Sequence, residues 1–185
     1  MKTKKVYLAG PFISYKENEF RRDEVLWKIL EQEIPNIKEL IKSYEDWRDL
    51  FLETIDKGIL KAYEFLDPRK TGGRYIGGKL GYFQRDLEYI DECDLVVAYR
   101  PQRWEIINGK IITQKIEIEG TSAEIAYAYA KNKIIYFVDE SPVPHEFLHG
   151  FSSMIFRGIP PLIYFLYVEE NYGFFPAVNK IHEIF

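Results

Sequence analysis

The stretch "DLVVAYRP", residues 94–101, constrains this chain more than any other. It is a continuous apolar run closed by a proline, with no alternation that would leave one face in water. Such a strand is buried on both faces, the condition of a parallel sheet between helix layers. Similar short runs recur as "KKVYLAGPF", ended by Gly10 and Pro11, as "AYEFLDP", stopped by Pro68, as "KIIYFV" and as "LIYFLYV". Between them the apolar spacing is helical. Phe20, Val25, Leu26, Ile29, Leu30, Ile34, Ile37, Leu40 and Ile41 share one face, with Pro35 breaking the run. Further helices are predicted over Trp47–Leu60, "YFQRDLEYIDEC", the segment opened by Thr121, "HEFLHGFSSMIF" and "AVNKIHEIF". Strands alternating with helices predict one domain over residues 1–185, a doubly wound α/β sandwich with about five parallel strands. Asn108-Gly109 between two alternating segments predicts a β-hairpin insertion near residues 102–119.

The chain has 185 residues, 46% hydrophobic, enough for one substantial core. Its net charge is −4, and no run of five basic residues follows "KTKK", which speaks against a duplex nucleic-acid partner. The most apolar segment, "IPPLIYFLYV", is too short to cross a membrane and holds Pro160 and Pro161. A single cysteine, Cys93, cannot form an internal disulfide, and its setting "DECDLVVAY" reads as a buried inert thiol. These features point to a cytoplasmic protein.

In a sheet of this kind ligands bind at the carboxyl ends of the strands, beside the switch in strand order. Gly10, Pro11 and Phe12 after the first strand, and Glu119, Gly120, Thr121 and Ser122 at the opening of "EGTSAEIAYAYA", belong to that rim. Thr121 and Glu124 also satisfy a capping-box spacing, so Glu124 reads either as a helix cap or as a carboxylate doing chemistry at the crevice. His145, His149 and His182 lack the spacing of a metal site, and no G-x-G-x-x-G follows the first strand; no metal or cofactor is expected. The loop "KTGGRYIGGK" reads as a surface loop or as a phosphate cradle using Lys70, Arg74 or Lys79.

Three stretches in order, "VYLAGPF", "RDLEYIDECDLVVA" and "GTSAEIAYAYAKNKIIYFV", resemble the nucleoside 2-deoxyribosyltransferase family. The resemblance implies a flavodoxin-like sandwich that cuts the N-glycosidic bond of (2'-deoxy)nucleosides and transfers the sugar to another nucleobase. It implies Glu124 as the nucleophile forming a covalent glycosyl intermediate, Tyr7 as the residue orienting it, and Asp86 as a contact to base or sugar. It makes Asp94 a structural residue. Two positions depart from the pattern: Ile118 stands where a base-contacting aspartate is common, with Glu117 and Glu119 beside it, and Ala126 replaces a glycine. "FSSMIFRG" is similar to a segment of the related 2'-deoxynucleoside 5'-monophosphate N-glycosidases, in which Ser152 or Ser153 would reach a neighbouring subunit's phosphate site. Hydrolysis of a monophosphate, or nucleotide sensing without turnover, therefore stands as an alternative. Without the resemblance, Tyr7 reads as a core aromatic and Asp86 as a solvated helix residue. The family's shared pockets imply at least a homodimer. Phe147, Leu148, Phe151, Met154, Ile155 and Phe156 are expected either at its interface or over the chain's own sheet.

Overall fold

The computed structural model describes residues 3–13, 24–40, 44–70, 79–108, 110–114, 116, 118–141 and 143–184. The chain is organised as two compact units, one comprising Lys4–Pro11 and Glu64–Gly158, the other Phe12–Tyr63 and Ile159–Phe185.

The sheet belongs to the first of these. Its strands are β1 (Lys4–Ala9), β2 (Tyr63–Leu66), β3 (Leu95–Arg100), β6 (Ile134–Asp139) and β7 (Met154–Phe156), in the order β2-β1-β3-β6-β7. The sheet is parallel, as the sequence predicted, and this order is the flavodoxin-like one, with its switch point between β1 and β3. Val6, Tyr7, Leu8, Ala9 and Val96, Val97, Ala98 are all buried, which explains why these strands read as unbroken apolar runs. Across the sheet, Tyr7 is level with Val96 and Ile135, and Ala9 with Ala98 and Phe137. These six side chains share one core cluster with Ile90 and Cys93 below β1, and with Ile125, Ala128 and Leu148. Helices α3 (Lys79–Glu92), α4 (Glu119–Ala130) and α5 (Glu146–Phe151) carry that face, α4 lying on β3 and β6 and reaching β1.

Strands β4 (Arg103–Ile107) and β5 (Lys110–Gln114) pair antiparallel as a separate hairpin, inserted where the sequence placed it. Asn108 takes the positive φ of 52° that such a tight turn needs, while Gly109 lies outside the described residues. Asp94 closes the entry to β3: its amide donates to the Lys5 carbonyl and its carboxylate accepts from the Lys5 amide. This is the structural role expected of it.

The second unit holds α1 (Glu24–Glu33), a 3₁₀ turn (Ile37–Leu40), α2 (Trp47–Asp56), α6 (Ile159–Tyr172) and α7 (Phe174–Ile184). Pro35 follows α1, where the helical run was predicted to break. Glu33 accepts from Tyr164 and from Lys180, which ties α1 to α6 and α7. Gly173 joins α6 to α7 at φ 95°, a conformation that favours glycine.

Three expectations are corrected. "LIYFLYV" is not the fifth strand but the body of α6, in which Leu162, Ile163, Tyr164, Phe165 and Leu166 are buried in succession. A helix buried all round has no polar stripe and is indistinguishable from a buried strand by its pattern. Pro160 and Pro161 fit its first turn, where no helical amide is missed. The fifth strand is instead Met154–Phe156, so the helix predicted over "HEFLHGFSSMIF" ends at Phe151. Lastly, α4 starts at Glu119, with Ile118 at the N-cap and no side-chain cap bond. Thr121 and Glu124 lie inside the helix, and no capping box forms.

Candidate active site

Glu124 is 8% exposed on a helix packed over the sheet, and its environment explains how a carboxylate is tolerated there. The Tyr7 hydroxyl donates to Glu124 Oε1 at 2.6 Å, between residues 117 positions apart. That length is typical of a hydroxyl donating to a carboxylate, the stronger class of hydrogen bond. Tyr7 is itself fully buried in the middle of β1, with its ring stacked on Tyr89 of α3 at 5.9 Å. The bond therefore holds the carboxylate at one orientation from a rigid strand. A buried polar group without such a partner would cost about 1–3 kcal/mol.

The position of the pair follows from the connections. β3 ends at Arg100 and leads through the hairpin to the start of α4, whose far end turns through Lys131–Lys133 into the start of β6. Lys133 Nζ fixes that turn by donating to the carbonyls of Asp91 and Cys93, beside the start of β3. The N-terminus of α4 thus lies at the carboxyl ends of the strands, the binding rim of this fold. Glu119 and Gly120 are exposed in its first turn, Ser122 is half-buried and Thr121 buried. Gly10 and Pro11 follow β1 on the same rim and are half-buried. In the row beyond Tyr7, Ala9 and Ala98 are fully buried in the same core cluster as Ile125 and Ala128 of α4.

Other predicted residues have neighbours of their own. Asp86, on α3 one turn before Tyr89, accepts from Nε and Nη2 of the buried Arg85 through one oxygen. Phe12 belongs to the other unit, exposed at 69%, with the Arg48 guanidinium 4.9 Å from its ring centroid. Ser152 donates to the Leu148 carbonyl, and Ser153 accepts from the Ile135 amide while its own amide donates to the Ile135 carbonyl. Ser152 thus closes the end of α5, and Ser153 ties the segment after it to β6. Ser153 directly precedes β7, the strand three places from β1 and about 14 Å from it by strand spacing, so one chain does not bring it to the Tyr7–Glu124 pair. Cys93 donates to the Ile90 carbonyl, and burial pushes its thiol up, as suits a packing residue. Glu117, Gly109 and Arg74 lie outside the described residues.

One cluster was missed in the sequence. Asp139, the last residue of β6, is fully buried and accepts from His149 Nε2 at 2.7 Å and from the Ser141 amide at 3.0 Å, with Arg100 Nη1 at 3.5 Å. The one local signal was an aspartate directly after the apolar run "YFV", at the end of a parallel strand.

The chain matches no protein-family model and no curated protein. Among solved structures it is similar to a 2-deoxyribosyltransferase of Bacillus psychrosaccharolyticus, at 17% identity and TM-score 0.50, covering 94% of this chain and 95% of that one. It is similar to a conserved protein of Enterococcus faecalis V583 at 14% identity and TM-score 0.50, covering 87% and 95%. A CMP N-glycosidase of Clostridium botulinum aligns at 21% identity over 86% and 95%, with a TM-score of 0.40 too low to bear on the reading. The fold of this chain is thus one that a 2-deoxyribosyltransferase also has.

Proposed function

We propose that the chain is an enzyme cleaving the N-glycosidic bond of (2'-deoxy)nucleosides and transferring the sugar to a second nucleobase. The observation that carries this reading is the buried Tyr7–Glu124 bond of 2.6 Å beside the binding rim. A Glu124 oxygen attacks C1' as the C1'–N bond breaks and its electron pair leaves with the base. The transition state resembles an oxocarbenium ion, which a held carboxylate stabilises and then captures as a glycosyl ester. The nitrogen of a second base attacks the same carbon and releases Glu124, giving transfer with retention; water in its place gives hydrolysis. Tyr7 keeps Oε1 fixed throughout. Asp86 and the first turn of α4, Glu119 to Ser122, are assigned to the substrate.

An uncharged nucleoside suits the site better than its 5'-monophosphate, because the Ser152 hydroxyl already donates to the Leu148 carbonyl and Ser153, beside β7 three strands from β1, is tied to Ile135. The chain is assigned to a homodimer through the α5 segment. Leu148 and Phe156 cover their own sheet, but Phe147 is 67% exposed and its ring, Phe151 and Tyr129 form one aromatic cluster with centroids 4.5 Å apart. Chromatography of the protein mixed with a deoxynucleoside and a different free base tests the reaction. The expected product is a new nucleoside. Free sugar instead indicates a hydrolase, turnover of the monophosphate alone a monophosphate N-glycosidase, and no turnover a sensing module.

A further inference from the structure

The face that α3 turns to the sheet is marked at its buried end, where Ile90 and Cys93 lie in the core cluster and Tyr89 stacks on Tyr7. At helical spacing that stripe continues through Asp86 to Phe83 and Tyr82, one and two turns before Tyr89. Aromatic side chains on a sheet-facing stripe are ordinarily covered. Here exposure rises along the stripe: Ile90 is fully buried, Tyr89 and Asp86 are half-buried, Phe83 is 46% exposed and Tyr82 59%. We propose that Tyr82 is the platform on which the substrate's nucleobase stacks, an inference that rests on Glu124 acting at C1'.

The stripe opens because the sheet ends beneath it. β2 and β3 flank β1, so the helix joining them crosses β1. It runs against the strands, since its far end leads to Asp94, whose amide meets the Lys5 carbonyl at the start of β1. Tyr82 is seven residues nearer the helix start than Tyr89, about 10 Å along the axis. That is about three strand residues beyond Tyr7, level with Gly10 and past the last residue of β1. The ring therefore overhangs the carboxyl end of the strand that carries Tyr7. α4 runs beside α3, tied to its far end by the Tyr127 hydroxyl donating to Asp91, and its first turn is exposed on the same rim at Glu119 and Gly120. Between the two helices Glu124 reaches Tyr7. A sugar held at Glu124 thus carries its base outward between the opened starts of α3 and α4.

Tyr82 is also braced. Arg85 is 5% exposed, and its guanidinium carbon sits over the Tyr82 ring, 5.0 Å from the centroid. The same guanidinium donates through Nε and Nη2 to Asp86 Oδ1 at 2.9 and 2.7 Å. Asp86 fixes the cation and the cation holds the ring by cation–π attraction, so little freedom is left to lose when a ligand stacks on it. Every base offers a π-face to such a ring, and the two fused rings of a purine cover more of it than a pyrimidine does.

The plain alternative is an aromatic patch that meets a second copy of the chain, and ligand affinity separates the two. Glu124→Gln supplies a protein that binds without turnover. Its affinity for deoxyadenosine and deoxycytidine is measured by calorimetry, alone and combined with Tyr82→Ala or Tyr82→Phe, with light scattering of each protein. Tyr82→Ala is expected to weaken deoxyadenosine binding by about 5–150-fold, the usual share of a stacked aromatic, and deoxycytidine binding by less. Tyr82→Phe keeps the ring and is expected to stay within about threefold. Unchanged affinity in Tyr82→Ala, or equal losses in both variants, would overturn the platform while leaving the role of Glu124 standing. A loss that appears only together with a fall from dimer to monomer would do the same and assign the ring to the second copy. A Glu124→Gln protein that binds neither nucleoside, with a wild type that turns over neither, would overturn both.

Discussion

Replacing Tyr7 by Phe removes one oxygen from a fully buried ring and leaves its packing against the core and Tyr89 intact. What is lost is the donor to Glu124 Oε1 at 2.6 Å. A hydrogen bond to a charged acceptor is worth about 1.5–3 kcal/mol net, and for a chain of this length each kcal/mol moves Tm by about 2–4 °C. Tyr7→Phe is therefore expected to unfold about 3–12 °C below wild type in a thermal melt followed by circular dichroism. If the same bond orients the nucleophile, kcat on a deoxynucleoside falls by about 10–150-fold, the rate equivalent of that energy. A cycle with Glu124→Gln isolates the pair: on that background, removing the hydroxyl should cost less stability, because a neutral amide accepts a weaker bond. Wild-type melting together with wild-type turnover in Tyr7→Phe would refute the reasoning.

Thr121→Val removes a hydroxyl that caps nothing, so its stability in urea is expected to stay within about 0.5 kcal/mol of wild type, whereas a lost cap would cost about 1 kcal/mol. Burial, followed by the bond to Glu33, pushes the Tyr164 phenol up to about 12, and burial followed by Glu53 raises Tyr44 as well. These phenols keep their protons in the folded state above the unfolded pKa of about 10, so stability holds below that pH and falls as pH rises towards 12. Tyr164→Phe should flatten the fall in an unfolding series from pH 9 to 12; an unchanged slope would exclude Tyr164 as a cause. Phe147→Glu puts a charge on the exposed aromatic cluster and is expected to shift a dimer to monomer by light scattering, while a wild-type monomer with full activity would rule out a shared site.

The strands β1, β3 and β6 were legible because both-face burial leaves an unbroken apolar run, and the hairpin because Asn108-Gly109 marks a tight turn. The same criterion misplaced the fifth strand, since α6 is buried on all sides and Met154–Phe156 is too short to leave a pattern. Thr121 and Glu124 matched a cap because spacing alone cannot tell whether a helix begins at a threonine or two residues earlier. That Glu124 would meet Tyr7 was implied by family resemblance, not by periodicity, because the fold joins positions 117 apart. The Asp139–His149 pair left no trace beyond an aspartate after "YFV": the two residues are separated by a loop and stand on a strand end and a six-residue helix.

The central claim is that Glu124 carries the sugar, and the direct test is the intact mass of the protein quenched during turnover of a deoxynucleoside without an acceptor base. Addition of one deoxyribosyl group is predicted, mapping to the peptide that holds Glu124 and absent in Glu124→Gln. Turnover with no added mass under conditions where the ester should accumulate, or equal labelling of Glu124→Gln, would contradict it.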